Sequence, residues 1–359
     1  MGYIATLYIS PLYTFGEQKM EHHAEHPVFG KCQVTGVKEY VQRALPEFCQ
    51  RLGLNSTTSK TLESLGCASL QAAAAMIETS CMLGEVAPLK ESREFWLKLG
   101  QVLVGHGSML VGEDYLQAAM NHLQSGGNVL LIQNHRSGAD TLLMEALVNQ
   151  YFGYDATADW AYMSGHAVNL FLLPLMFTAA VRRFQIFSAK YQSTGLPGMA
   201  DATTMGIQNV KALTSLSRYC RQGGKLVGLY PEGGRGETCM KRGESKTSCI
   251  FKLMAHNSTS LLILPTYVDG SASILPVVRG SNEYNEVFMH ARVGTGTLSI
   301  GKPIPWEALE QAAKEMSDRL NQPCEQSICD AGLALVAQLA PNAEQRGPYE
   351  TIRFSRPPA

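Results

Sequence analysis

The chain has 359 residues, 45% of them hydrophobic and 17% charged, with a formal net charge of -1. That length allows one large domain, or a domain with a smaller companion, and the composition excludes a disordered or fibrous chain. A net charge this close to zero advertises no nucleic-acid partner, and none is expected.

The first thirty residues include His22, His23 and His26. They read as a mobile polar terminus rather than a metal site. The cap-prone run Asn55 to Ser59 precedes a stretch from Lys60 to Leu83 that contains Ala72 to Ala75, all strong helix formers. Pro88 marks its end. A small helical N-terminal domain is therefore expected over residues 1–88, with little strand signal, followed by an α/β domain over residues 89–359.

In that second part, Glu113 to Ser125 carries Leu116, Ala119, Met120 and Leu123 at helical spacing, and Gly126-Gly127 stops it. Asn128 to Gln133 (NVLLIQ) reads as a buried strand, NHRSGAD as a loop, and Thr141 to Tyr151 as a helix. The run Val168 to Val181, broken by Pro174, is about half of a membrane span. It reads as a buried helix and not as a transmembrane segment, with a peripheral, surface-lying membrane contact left open. The earlier layout then recurs. Val210, Leu213, Leu216 and Cys220 share a helical face, Gly223-Gly224 ends the helix, Lys225 to Tyr230 forms a strand, and PEGGRGE follows. Leu261 to Tyr267 is a third strand, and Glu286 to Val293 and Thr297 to Ile300 are strand-like. The alternation predicts an α/β fold, a mixed central sheet with helices on both faces. In such sheets ligands bind beyond the carboxyl ends of strands, the edge to which both unusual loops belong.

Nine cysteines without a CxxC pair argue against a disulfide framework and a metal ribbon, and fit a reducing compartment. No metal ligand set is expected. The N-terminus shows no secretory or transit pattern, so a soluble protein is expected. Charge is uneven: twelve Lys or Arg against four acids lie between Arg182 and Lys252, a window of +8 in a chain of net -1. Such a window suits an anionic ligand or partner, or a set of solvated helix faces.

His135 and Asp140 are five residues apart and would point about 140° apart on one helix. A loop bearing His135 and a helix start bearing Asp140 would let the carboxylate hold one imidazole nitrogen and leave the other as a general base, with Gly138 easing the turn. Spacing alone equally permits a plain N-cap and a satisfied polar histidine. In PEGGRGE, Gly233 and Gly234 let backbone amides approach a ligand closely, and Arg235 can pair with phosphate through two hydrogen bonds. A tight surface turn would use the same residues. No GK[ST] follows, so it is not a nucleotide P-loop.

NHRSGAD together with YPEGGR resembles the glycerolipid acyltransferases, which carry an HxxxxD motif and a later PEG-T-R or P-S-GGR block. LQSGGNVLLIQNHRSGAD is especially similar to the soluble, plastid-type glycerol-3-phosphate 1-acyltransferases. MSGHAVNLFLLPLMFTAAVRRFQIFSAKYQ, the LPTYV strand and SIGKPIPWEAL extend the likeness over roughly residues 90 to 325. The resemblance implies His135 and Asp140 as the catalytic pair, and Lys190, Gly233, Gly234 and Arg235 around the acceptor phosphate. Tyr191 stands where that family has a histidine, and Glu237 where it often has a second arginine. A carboxylate repels phosphate, so either Glu237 points away, with Lys241 or Arg242 supplying the charge, or the acceptor differs. The implied reaction moves a fatty acyl group from an acyl-carrier-protein or coenzyme A thioester to the sn-1 hydroxyl of glycerol 3-phosphate. The thioester is a cosubstrate, and no further cofactor is implied. A 1-acylglycerol-3-phosphate acyltransferase is the same-class alternative. A non-catalytic lipid or acyl-carrier binding protein and a thioester hydrolase are the others.

Overall fold

The computed structural model describes residues 23–26, 30–33, 35–78, 84–165, 176–187, 202–234, 239–276 and 287–352. In chain order these form β1 (His23–His26), β2 (Gly30–Gln33), α1 (Thr35–Arg51), α2 (Ser56–Glu78), β3 (Glu85–Val86), α3 (Lys90–Leu103), β4 (Met109–Val111) and α4 (Glu113–Gln124). There follow β5 (Asn128–Gln133), α5 (Asp140–Phe152), β6 (Ala161–Gly165), β7 (Arg182–Ile186), α6 (Ala202–Cys220), β8 (Leu226–Leu229), α7 (Ser248–His256) and β9 (Leu261–Asp269). The last elements are α8 (Ser271–Ile274), α9 (Val287–His290), β10 (Thr297–Ile300), β11 (Ile304–Pro305), α10 (Trp306–Leu320), α11 (Cys324–Ala337) and α12 (Ala343–Arg346). The chain divides into two compact units, residues 1–103 with 164–212 and 275–293, and residues 104–163 with 213–274 and 294–359.

In the first unit, α2 packs against both α1 and α3. Phe48, Phe95, Phe177 and Phe288 are all buried and pack edge-on or tilted in series, with centroid spacings of 5.6 to 5.8 Å. Arg51, in the last turn of α1, donates to the carbonyls of Phe288 and Ala291 at 2.7 and 2.9 Å, as a cation near a helix end favours. Two expectations are corrected here. β1 and β2 pair antiparallel, and β3 pairs with β7, in a region that showed little strand signal. These strands have two to five residues, too few for a period of two to register, and pairing supplies what the pattern lacks. Within Glu286 to Val293, Val287–His290 forms a short helix and not a strand.

The second unit holds a mixed sheet in the order β6-β8-β5-β9-β10-β4. β6, β8, β5 and β9 run parallel, β10 turns antiparallel to β9, and β11 pairs with β9 as well. All six residues of β5 are buried, which a strand shows only when both of its faces are covered. On one face, Gly332 of α11 lets the helix close on Ile132, where an added Cβ would stand 3.1 Å from Ile132 Cδ1. The two glycine pairs expected as helix stops meet each other at the far edge of this sheet. Gly224 N–H donates to Gly127 O at 3.1 Å. Gly126, Gly223 and Gly224 all have positive φ, and a Cβ on Gly223 would stand 2.6 Å from Gly126 O. Beside them Asn128 ties three turns together, donating to Cys220 O and Ser258 Oγ and accepting from Lys225 N–H, at 2.7 to 2.9 Å. Among the described residues no helix is long and apolar enough to cross a membrane.

Candidate active site

β5 ends at Gln133, and the next residue keeps the ladder going with its side chain. Asn134 Nδ2 donates to Val268 O at 2.8 Å, and its Oδ1 accepts from Val268 N–H at 2.7 Å. The carboxamide thus copies a peptide group and fixes the backbone one residue before His135. The loop then doubles back through Ser137, whose Oγ accepts from Ala139 N–H at 2.9 Å. Gly138 is not among the positive-φ glycines, so the turn comes from the serine bond and not from glycine's special freedom.

Asp140 opens α5 but does not cap it, since the cap position is Ala139 and no side chain bonds there. Its carboxylate faces back into the loop. It accepts from Arg136 N–H at 2.7 Å, from Ser137 N–H at 3.1 Å, and from Ser271 Oγ at 2.5 Å. His135 Nδ1 lies 2.8 Å from Asp140 Oδ2. The carboxylate side chain is 1% exposed and the imidazole 24%. An ionised carboxylate can only accept, so Nδ1 carries the proton and Nε2 is left as the basic nitrogen. Among the described residues no group bonds that Nε2.

Two neighbours complete the setting. The Tyr230 ring lies 4.5 Å from the imidazole, tilted by 34°, and its hydroxyl is 2.7 Å from Thr141 Oγ1 on α5. Glu232 lies beneath the loop, 4% exposed, with Oε1 accepting from His135 N–H at 3.2 Å and Oε2 from Lys241 N–H at 3.0 Å. Burial pushes its carboxyl up to about 7, against the opposing pull of the two N–H bonds and of Arg136. Arg136 itself donates to Tyr267 OH at 3.0 Å and Gln345 O at 3.4 Å.

Of the residues singled out in the sequence, the fold brings His135 and Asp140 into direct contact. Gly233 and Gly234 follow β8 at the same sheet edge. Gly233 has φ +64°, and the Glu244 side chain occupies the space where its Cβ would be, whereas Gly234 has open space there. Lys190, Tyr191, Arg235 and Glu237 lie outside the described residues. Arg242 is held by Asp330 at 3.2 Å and Gln322 at 2.7 Å, while Lys241 is exposed. Ser271, Glu232 and Tyr230 escaped the sequence reading. Only Glu232 left a trace there, as a carboxylate inside an otherwise glycine-rich loop. Burial pushes the Cys220 and Cys329 thiols up to about 12, which keeps both protonated and unreactive. Among the described residues no group of three or more His, Cys, Asp or Glu side chains is placed to hold a metal ion.

The arrangement is a histidine with one nitrogen fixed by a buried carboxylate and the other unbonded among the described residues, in a loop beyond the carboxyl end of a central parallel strand. Such a pair can take a proton from a hydroxyl or water and return it to a leaving group. The sequence model of the Acyltransferase family matches residues 112–280, a span that includes both His135 and Asp140. The chain is also similar to the chloroplastic glycerol-3-phosphate acyltransferase ATS11 of Cucurbita moschata, 27% identical over 143 residues. The similarity covers 40% of this chain and 31% of that protein's length.

Proposed function

We propose, from the premise that the chain belongs to the glycerolipid acyltransferase superfamily, that it acylates the sn-1 hydroxyl of glycerol 3-phosphate from an acyl-carrier-protein or coenzyme A thioester. The observation that carries this reading is the 2.8 Å contact of His135 Nδ1 with a carboxylate already held by two backbone amides and Ser271. That contact fixes the tautomer, so Nε2 takes the proton as the hydroxyl oxygen attacks the thioester carbonyl. The C–S bond breaks, the new ester forms, and the same nitrogen returns its proton to the departing thiolate. No acyl-enzyme is needed, and orientation of the two substrates supplies much of the rate. Arg235 and Lys190 hold the acceptor phosphate in this reading, and Lys241 adds charge where Glu237 removes it. The similarity to a plastid glycerol-3-phosphate acyltransferase supports this acceptor, over the fraction of the two chains it covers.

The test is thiol release from a palmitoyl thioester with glycerol 3-phosphate, with 1-acylglycerol 3-phosphate, and with neither. Release that requires glycerol 3-phosphate and disappears in His135→Ala is expected. Dependence on the acylated acceptor would move the protein to the second step of the same chemistry. Release without any acceptor would make it a hydrolase, and no release with any donor a binding protein.

A further inference from the structure

The segment that follows the glycine-rich loop has no regular structure, yet its backbone is closely held. Met240 N–H donates to Gln345 O at 3.0 Å, Lys241 N–H to Glu232 Oε2 at 3.0 Å, and Glu244 N–H to Pro231 O at 2.9 Å. Gly243 gives both halves of its peptide chemistry to side chains. Its N–H donates to Tyr349 OH at 2.8 Å, and its carbonyl accepts from Gln326 Nε2 at 2.9 Å. An added Cβ at Gly243 would lie 3.0 Å from Cys329 Cβ and from Leu333 Cδ1, so the segment is pressed directly onto α11.

A single buried carboxylate organises these contacts. Asp330 of α11 is 2% exposed. Its Oδ1 accepts from Tyr349 OH at 3.2 Å and Gln326 Nε2 at 2.9 Å. Its Oδ2 accepts from Gln322 Nε2 and Arg242 Nη2, both at 3.2 Å. Tyr349 is 106 residues from Gly243 along the chain, and with Gln345 it comes from the C-terminal stretch. The contacts run from Asp330 and Tyr349 to Gly243, then along the backbone to Lys241, then to Glu232, and from Glu232 to the backbone of His135.

We infer that Tyr349 and Asp330 are positioning residues for His135: they hold the segment at residues 240–244 in the one place where the Lys241 amide and the His135 amide can share the Glu232 carboxylate. The inference rests on His135 being the base of the proposed acyl transfer. Asp140 fixes the imidazole from the side-chain end. The Tyr349–Asp330 brace fixes the same residue from its backbone, and the two restraints together leave the ring little freedom.

Tyr349→Phe is the sharpest probe, because it keeps the ring and removes only the hydroxyl. Below its unfolding temperature, this variant should show kcat lowered about tenfold with both KM values within roughly twofold of wild type. The second arm repeats the change in a Glu232→Gln background, where the amide can no longer accept both N–H groups. If the brace acts through Glu232, Tyr349→Phe costs no further kcat there; independent structural effects would instead add. The third arm needs no activity. Amide hydrogen exchange at His135 should quicken in Tyr349→Phe while Val129 to Leu131 in β5 keep their protection. Additive kcat losses, an unchanged kcat, or unchanged exchange at His135 would overturn the inference. Should the wild-type protein transfer no acyl group, the proposed reaction falls, and the exchange measurement still decides the brace.

Discussion

Asp140 keeps its charge almost wholly out of water because four donors converge on it: two backbone amides, the Ser271 hydroxyl and the His135 imidazole. Removing one should loosen the imidazole without unfolding the chain. Ser271→Ala is expected to lower kcat about tenfold and to cost about 1–3 kcal/mol in denaturant unfolding, because it leaves a buried carboxylate one donor short. Glu232 behaves differently, since burial raises its carboxyl from 4.5 to about 7. The folded state therefore binds a proton that the unfolded state has released between those values. The stability it contributes is complete below about 4.5 and is lost as pH rises through about 7, a change of roughly 3 kcal/mol. Glu232→Gln cannot titrate. Its stability relative to wild type should rise between pH 4.5 and pH 7 and then level off. Denaturant titrations across that range would show it, and a parallel pH dependence for both proteins would disprove the shift.

At the scale of elements, the paired glycine turns decide whether β5 and β8 can lie side by side. Gly223→Ala would place a methyl against Gly126 O and force an alanine to φ +68°. A loss of about 2 kcal/mol or more in denaturant unfolding is expected, with kcat nearly unchanged, because this edge lies opposite the catalytic loops. Much of this architecture was legible in the sequence. The NVLLIQ run, the GG stops and the two loops after β5 and β8 each signal themselves locally, through apolar continuity or glycine. The four-residue strands β1 and β2 carry no such signal. Within the site, His135 and Asp140 were legible as a spacing, yet the spacing could not tell a cap from a pair. The His135–Asp140 contact settles it, and Ser271, which shares that carboxylate from 131 residues away, is a partner no local pattern marks. Val287–His290 misled for the opposite reason: Val287 and Phe288 favour strands, but Phe288 is buried in the aromatic series beside Phe177.

At the scale of the molecule, the basic window from Arg182 to Lys252 is thinner than its formal charge, because Arg182, Arg242 and Lys252 are paired with Glu85, Asp330 and Glu325. If the remaining cations attract an anionic thioester donor, raising salt from about 0.05 to 0.5 M should raise the donor's KM severalfold and leave kcat in place. A flat response would show that the donor is held by other contacts. The reach from Ser271 to Asp140 also bears on time. Asp140 gains its fourth donor, Ser271, only after β9 has docked beside β5, an event that must close a loop of more than a hundred residues. Helices can form much earlier, so in refolding experiments helical circular dichroism should recover before acyl transfer does. The active site would then serve as a clock for the completion of the sheet.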